Sequence, residues 1–81
     1  MNVFRPKWKH SDWRVRLAAV QKLTDQPLLA DIAKNAVEQI VRTTAALKLT
    51  DQAVLAEIAK NDFDPLVRAA AAERLRALGR K

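Results

Sequence analysis

Residues 22–35, KLTDQPLLADIAKN, recur as residues 48–61, KLTDQAVLAEIAKN, with 11 of 14 positions identical at an offset of 26. The same offset brings four further sets into register, each three times over. Val15, Val41 and Val67 align, as do Arg16, Arg42 and Arg68; Ala19, Ala45 and Ala71; and Leu23, Leu49 and Leu75. The acids Asp12, Glu38 and Asp64 fall on one position as well. A period of this kind marks one supersecondary unit used again and again. A single unit leaves an apolar face that only its neighbour can bury, so the units must stack in chain order. That constraint is stronger than anything composition says.

The unit reads as two helices. A shorter one is predicted at 25–34 and again at 51–60. Thr24-Asp25 and Thr50-Asp51 offer N-cap oxygens, and Pro27 falls in the first turn, where proline is tolerated. Leu28, Leu29, Ile32 and Ala33 lie at helical spacing, repeated as Val54, Leu55, Ile58 and Ala59. Asn35 and Asn61 follow as candidates for a left-handed C-cap. A longer helix is predicted at 13–23, 39–49 and 65–78, with Asp12 and Asp64 as N-caps, Pro65 at the first position and Gly79 as the stop. The expected fold class is therefore all-α, with five main helices and no strand. One glycine in 81 residues fits that expectation, because tight sheet turns need more. Val41, Ala45, Leu49, Leu55, Ile58 and Val67 are the expected core.

The recurring pattern acid-x-x-Val-Arg-x-x-Ala-x-x-x-Leu resembles that of HEAT-repeat proteins, over about residues 11–76. The usual HEAT repeat has about 40 residues, so this is a shortened variant. The resemblance implies an α-solenoid of stacked helical hairpins, with units at about 11–36, 37–62 and 63–81. A basic segment, 1–10, would precede them. It also implies that the longer helix lines the concave face. It does not fix a function: HEAT-like proteins include adaptors, lyase subunits and DNA-repair glycosylases.

Chemistry-bearing motifs are missing from the sequence. There is no cysteine, so disulfides and thiolate metal sites are excluded. His10 is the one histidine and lies outside the repeat, and no HExxH, phosphate loop or Ser/His/Asp set occurs. Asp31 with Lys34 and Glu57 with Lys60 read as surface pairs three residues apart. No catalytic residue, cofactor or metal is expected. No apolar run reaches the roughly 18 residues that span a bilayer, and 1–10 lacks an apolar signal core. A cytoplasmic location is the expectation, with no membrane association.

The net charge is +6, and it is concentrated at the ends. Residues 1–16 carry five basic side chains and Asp12 (+4), residues 74–81 four basic ones (+4), and residues 17–73 six basic against eight acidic (−2). Phe4, Trp8 and Trp13 interleave with the N-terminal charges, which suits either an end cap for the stack or stacking against a nucleic acid. The arginine series Arg16, Arg42 and Arg68 also has two readings. Each arginine follows an acid by four residues, the favourable order for a pair on one helix. Alternatively the series faces a partner. On a helical wheel, Gln39, Arg42, Thr43 and Ala46 lie opposite Val41, Ala45 and Leu49. The aligned strips hold Trp13, Arg16, Leu17 and Val20, then Arg68, Ala69, Ala72 and Arg76. The candidate interaction face is accordingly Trp13, Arg16, Leu17, Gln39, Arg42, Thr43, Arg68 and Arg76. The expected partner is another protein, the alternative a nucleic acid. Service as an accessory subunit of a larger enzyme is a minor third reading. The oligomeric state is open.

A salt titration separates the first two. Phosphate contacts by Arg16, Arg42, Arg68 and Arg76 would give a log K against log salt slope of about −3 to −4 on duplex DNA, flattened by about one unit in Arg42→Gln. The negative middle of the chain opposes a polyanion laid across it. The expected result is either no binding at all or weak binding that survives Arg42→Gln and vanishes when residues 1–10 are deleted.

Overall fold

The computed structural model describes residues 6–79. Five α-helices follow a single 3₁₀ turn at Lys7–Lys9: α1 (Trp13–Lys22), α2 (Gln26–Asn35), α3 (Gln39–Leu47), α4 (Gln52–Asn61) and α5 (Pro65–Gly79). No strand occurs among the described residues. Phe4 and Arg5 at one end, and Arg80 and Lys81 at the other, lie outside them.

The helix starts follow the sequence signals. Asp25 accepts from the Leu28 N–H, Asp51 from those of Ala53 and Val54, and Asp12 from that of Arg14. The Asp64 carboxylate takes the Leu66 N–H at 2.8 Å. Each bond satisfies a backbone donor that has no intrahelical partner. The helix ends depart from expectation. No described residue has a positive φ, so Asn35 and Asn61 are not left-handed caps. They are the last helical residues, and the chain leaves α2 and α4 in extended conformation at Ala36 and Asp62. Side chains from the following helix satisfy the free carbonyls there, so the backbone has no need to curl back on itself. The division into long and short helices also fails: α3 has 9 residues, α2 and α4 have 10 each, and only α5, with 15, is long. The last turn of α3 tightens, with the Lys48 and Leu49 N–H groups bonded to the carbonyls of Ala45 and Ala46. Leu49 thus leaves the helix yet stays buried. The surface pair at residues 31 and 34 is replaced by a bond from the Asn35 amide to Asp31.

Helices one period apart touch. α1 packs on α3, α3 on α5 and α2 on α4, while the hairpin partners α2 with α3 and α4 with α5 close each corner. The molecule is elongated accordingly, 46 × 25 × 16 Å. The core runs through it as a register of equivalents: Leu29 with Leu55, Ile32 with Ile58, Val41 with Val67, Ala45 with Ala71. All six expected core residues are buried. Their first-unit counterparts Val15, Ala19 and Leu23 are only half-buried. α1 has a full helix, α3, on one side and the 3₁₀ turn beside it. Trp8, in that turn, packs against the core cluster, as an end cap should, whereas Trp13 is exposed.

Leu55 has no solvent exposure. Leu55→Ala is expected to cost about 2–5 kcal/mol, the lost transfer energy plus a cavity. A urea melt with an unchanged midpoint would place Leu55 outside the core.

Candidate interaction surface

The aligned arginines share one structural task. Arg16, Arg42 and Arg68 each send an Nη1 donor back six residues, to the carbonyls of His10, Ala36 and Asp62. These three acceptors are themselves 26 residues apart, and each is the C-cap of the element before the arginine's helix. The last carbonyls of a helix lack intrahelical partners and carry the negative end of its dipole, so a cation there is favourable. Arg42 is the most heavily engaged. Its Nη1 reaches Ala36 O at 2.8 Å and Val37 O at 2.9 Å, its Nε donates to Asp62 at 3.1 Å, and its guanidinium lies 4.8 Å from the centre of the Phe63 ring. Arg16 pairs with Glu38 at 2.5 Å. The Arg16–Glu38 pair crosses from the first unit to the second, whereas Arg42–Asp62 lies within the second, between α3 and the C-cap of α4. Among the described residues none of the three arginines pairs with the acid four residues before it: Asp12 and Asp64 are turned toward the N–H groups of their own helices, and Glu38 is held by Arg16. A second register does similar work: Lys48 Nζ donates to Val20 O and Gln21 O, and the aligned Arg74 donates to Leu49 O. Gln26 bridges units too, bonded to Lys48 O and to the Thr50 N–H.

These bonds break up the face expected from the helical wheel. Arg42 is 3% exposed and Ala46 is fully buried, so the strip opposite Val41 is interior as well. α3 has neighbours on both sides, α1 and α5, and a two-sided wheel does not apply to it. Leu17 packs on the core. Arg16 and Arg68 are held as above, and Arg76, though exposed, pairs with Glu73 at 2.6 Å. Trp13 is exposed, and Gln39 and Thr43 line an open groove.

The accessible surface is defined by side chains that sequence reasoning passed over. Val37 is 85% exposed and Phe63, its equivalent one period on, 81%. Ile40 is 47% exposed and its equivalent Leu66 64%. The 26-residue offset contained this signal: two apolar pairs recur at the corner before α3 and α5, outside the apolar stripe of either helix. Large apolar side chains on a surface are ordinary when single, but here they recur in pairs at equivalent places of two units. Two open grooves run beneath them. One, of about 490 Å³, is lined by Trp8, Lys9, Arg16, Val37 and Glu38. The other, of about 680 Å³, is lined by Glu38, Gln39, Ile40, Thr43 and Leu66. Glu38 lines both, so the two grooves adjoin there, and together they are called the trough. Glu38 Oε1 and Thr43 Oγ1, under its second half, have no hydrogen-bond partner among the described residues.

The described residues contain no group of three or more His, Asp or Glu placed to hold a metal ion, and no helix long and apolar enough to cross a membrane. Comparison with protein-family models, with curated proteins and with solved structures found no match to the chain.

Two expectations follow. Arg42→Ala leaves Asp62 buried without its cation and two carbonyls without a donor, and should cost about 3–5 kcal/mol in a denaturant melt. Arg68→Ala, at a half-buried site with a single carbonyl contact, should cost clearly less. At Asp12, side-chain and backbone hydrogen bonds from Arg14 hold the carboxyl down to about 2. A depressed carboxyl pKa adds stability above the unfolded-state value of about 3.9 that is lost as pH falls through the folded one. An NMR titration of Asp12 should therefore show a midpoint near 2, moving up in Arg14→Gln.

Proposed function

We propose that this chain is a non-catalytic protein-interaction module, a short α-solenoid of HEAT-like helical hairpins that presents its corner side chains to a partner. The observation that carries this reading is the repeated exposure of Val37 with Ile40 and of Phe63 with Leu66. Leaving four large apolar side chains in water is unfavourable by roughly 1 kcal/mol or more each relative to full burial, and two successive units do it at the same places. The ion pairs and carbonyl bonds of the arginines support the same reading from the other side, since side chains already committed within the fold are poor phosphate ligands. A nucleic-acid role would fall to the exposed lysines of the N-terminal end. A cytoplasmic setting suits a cysteine-free chain whose working surface is apolar.

The test uses the full chain and a Phe63→Asp/Leu66→Asp variant as baits in native lysate, with and without nuclease. Circular dichroism first establishes that both are folded. Proteins should be retained after nuclease treatment and lost with the variant. Material that disappears with nuclease, or that ignores the variant, would defeat the protein-binding reading.

A further inference from the structure

The trough is not uniform along its length, and its two ends differ in chemistry. Beneath Ile40 and Leu66 it is apolar. At the other end stands Lys9 of the 3₁₀ turn, which has no carboxylate partner among the described residues. The Lys9 ammonium lies 5.0 Å from the centre of the Trp8 ring, and both residues line the trough. Between the ends, Glu38 is neutralised by Arg16. The sequence register shows why the ends differ: where the second and third units have Val37/Ile40 and Phe63/Leu66, the first has Ser11/Arg14. The apolar corner motif is interrupted at the unit next to Lys9.

We infer that the trough binds an amphipathic helix of another protein that carries apolar side chains one heptad apart and a cluster of acidic residues at one end. This rests on the interaction reading above and narrows it to one kind of partner. Packed helices lie about 8–10 Å apart, so the equivalent side chains Ile40 and Leu66 are separated by about that distance. Seven residues of α-helix rise about 10.5 Å, which places successive heptad positions of a partner over the two units. The acidic end then meets Lys9. A second copy of this chain is a poorer occupant: it carries +6 overall, and Asp12, Asp25, Asp51 and Asp64 serve as caps. A nucleic acid supplies the charge but gains nothing from Val37, Ile40 and Leu66, which offer neither a stacking face nor a donor.

The experiment selects binders to the intact protein from a display library of random peptides about 20 residues long, roughly 30 Å as helices. The best binder is then synthesised and titrated. Expected are peptides with large apolar residues at seven-residue spacing and Asp or Glu gathered at one end. Their affinity should fall about tenfold or more in Leu66→Asp, fall in Lys9→Gln and further in Lys9→Glu, and weaken with added salt. Leu66 is 64% exposed, so its replacement leaves the fold intact, and Phe63→Ser provides an independent second variant. Binders that need Leu66 but carry no acid and ignore the lysine changes would overturn this inference while leaving the interaction surface in place. Binders indifferent to Leu66 and Phe63, or none at all, would overturn both. Sedimentation equilibrium run alongside would assign the trough to a second copy if it showed a dimer abolished by Leu66→Asp, and that too would overturn the inference.

Discussion

At the corners that lead into α1, α3 and α5, an arginine reaches back six residues to the C-cap carbonyl of the preceding element. The bond ties the end of one element to the first turn of the next, and so sets the angle between them. It does this three times at identical spacing, which is why the three helices can stack as equivalents. An arginine suits the place because its planar fork delivers several donors in fixed directions without losing its charge. Arg42 spends them on two carbonyls and a carboxylate, with an aromatic ring over the guanidinium. A lysine could not hold that geometry, and an apolar side chain would strand the carbonyls away from water.

That use of arginine reverses a common expectation about where function lies. In a chain of net charge +6 the natural search is for a basic patch. Here much of the interior charge holds the fold together: Arg42 with Asp62, Arg16 with Glu38, Lys48 and Arg74 on the helix ends of the neighbouring unit. The corners these bonds fix are what push Val37 and Phe63 into water. The exposed surface at these corners is therefore apolar, with the buried Arg42 close beneath it. The contact of Phe63 with Arg42 joins the two roles at one position.

The first unit differs from the other two in both packing and charge. α1 has the 3₁₀ turn beside it in place of a full helix, which leaves Val15 and Ala19 half-buried and brings Trp8 in as cover. The same turn carries Lys9, which has no carboxylate partner among the described residues and lies over the Trp8 ring. Covering α1 and placing charge at one end of the trough are thus done by one short segment.

The sequence by itself determined the repeat, and through it the helix content, the aspartate caps and the buried series at residues 41, 45, 49, 55, 58 and 67. Those features are local or periodic, and hydrophobic spacing together with capping chemistry reports them directly. It did not determine what the arginines bind or which face is open. The i to i+4 pairing of Glu38 with Arg42 is sound for an isolated helix, but it is overruled once the orphan carbonyls of the preceding helix and the Asp62 carboxylate lie within reach of the same guanidinium. The helical wheel failed at Arg42 and Ala46 because α3 is packed on both sides, which depends on neighbours 26 residues away and not on its own pattern. Val37, Ile40, Phe63 and Leu66 were visible as letters, but whether a corner residue faces core or water is decided by the angle at which two helices meet. That angle is set by tertiary bonds, and only the folded chain contains them.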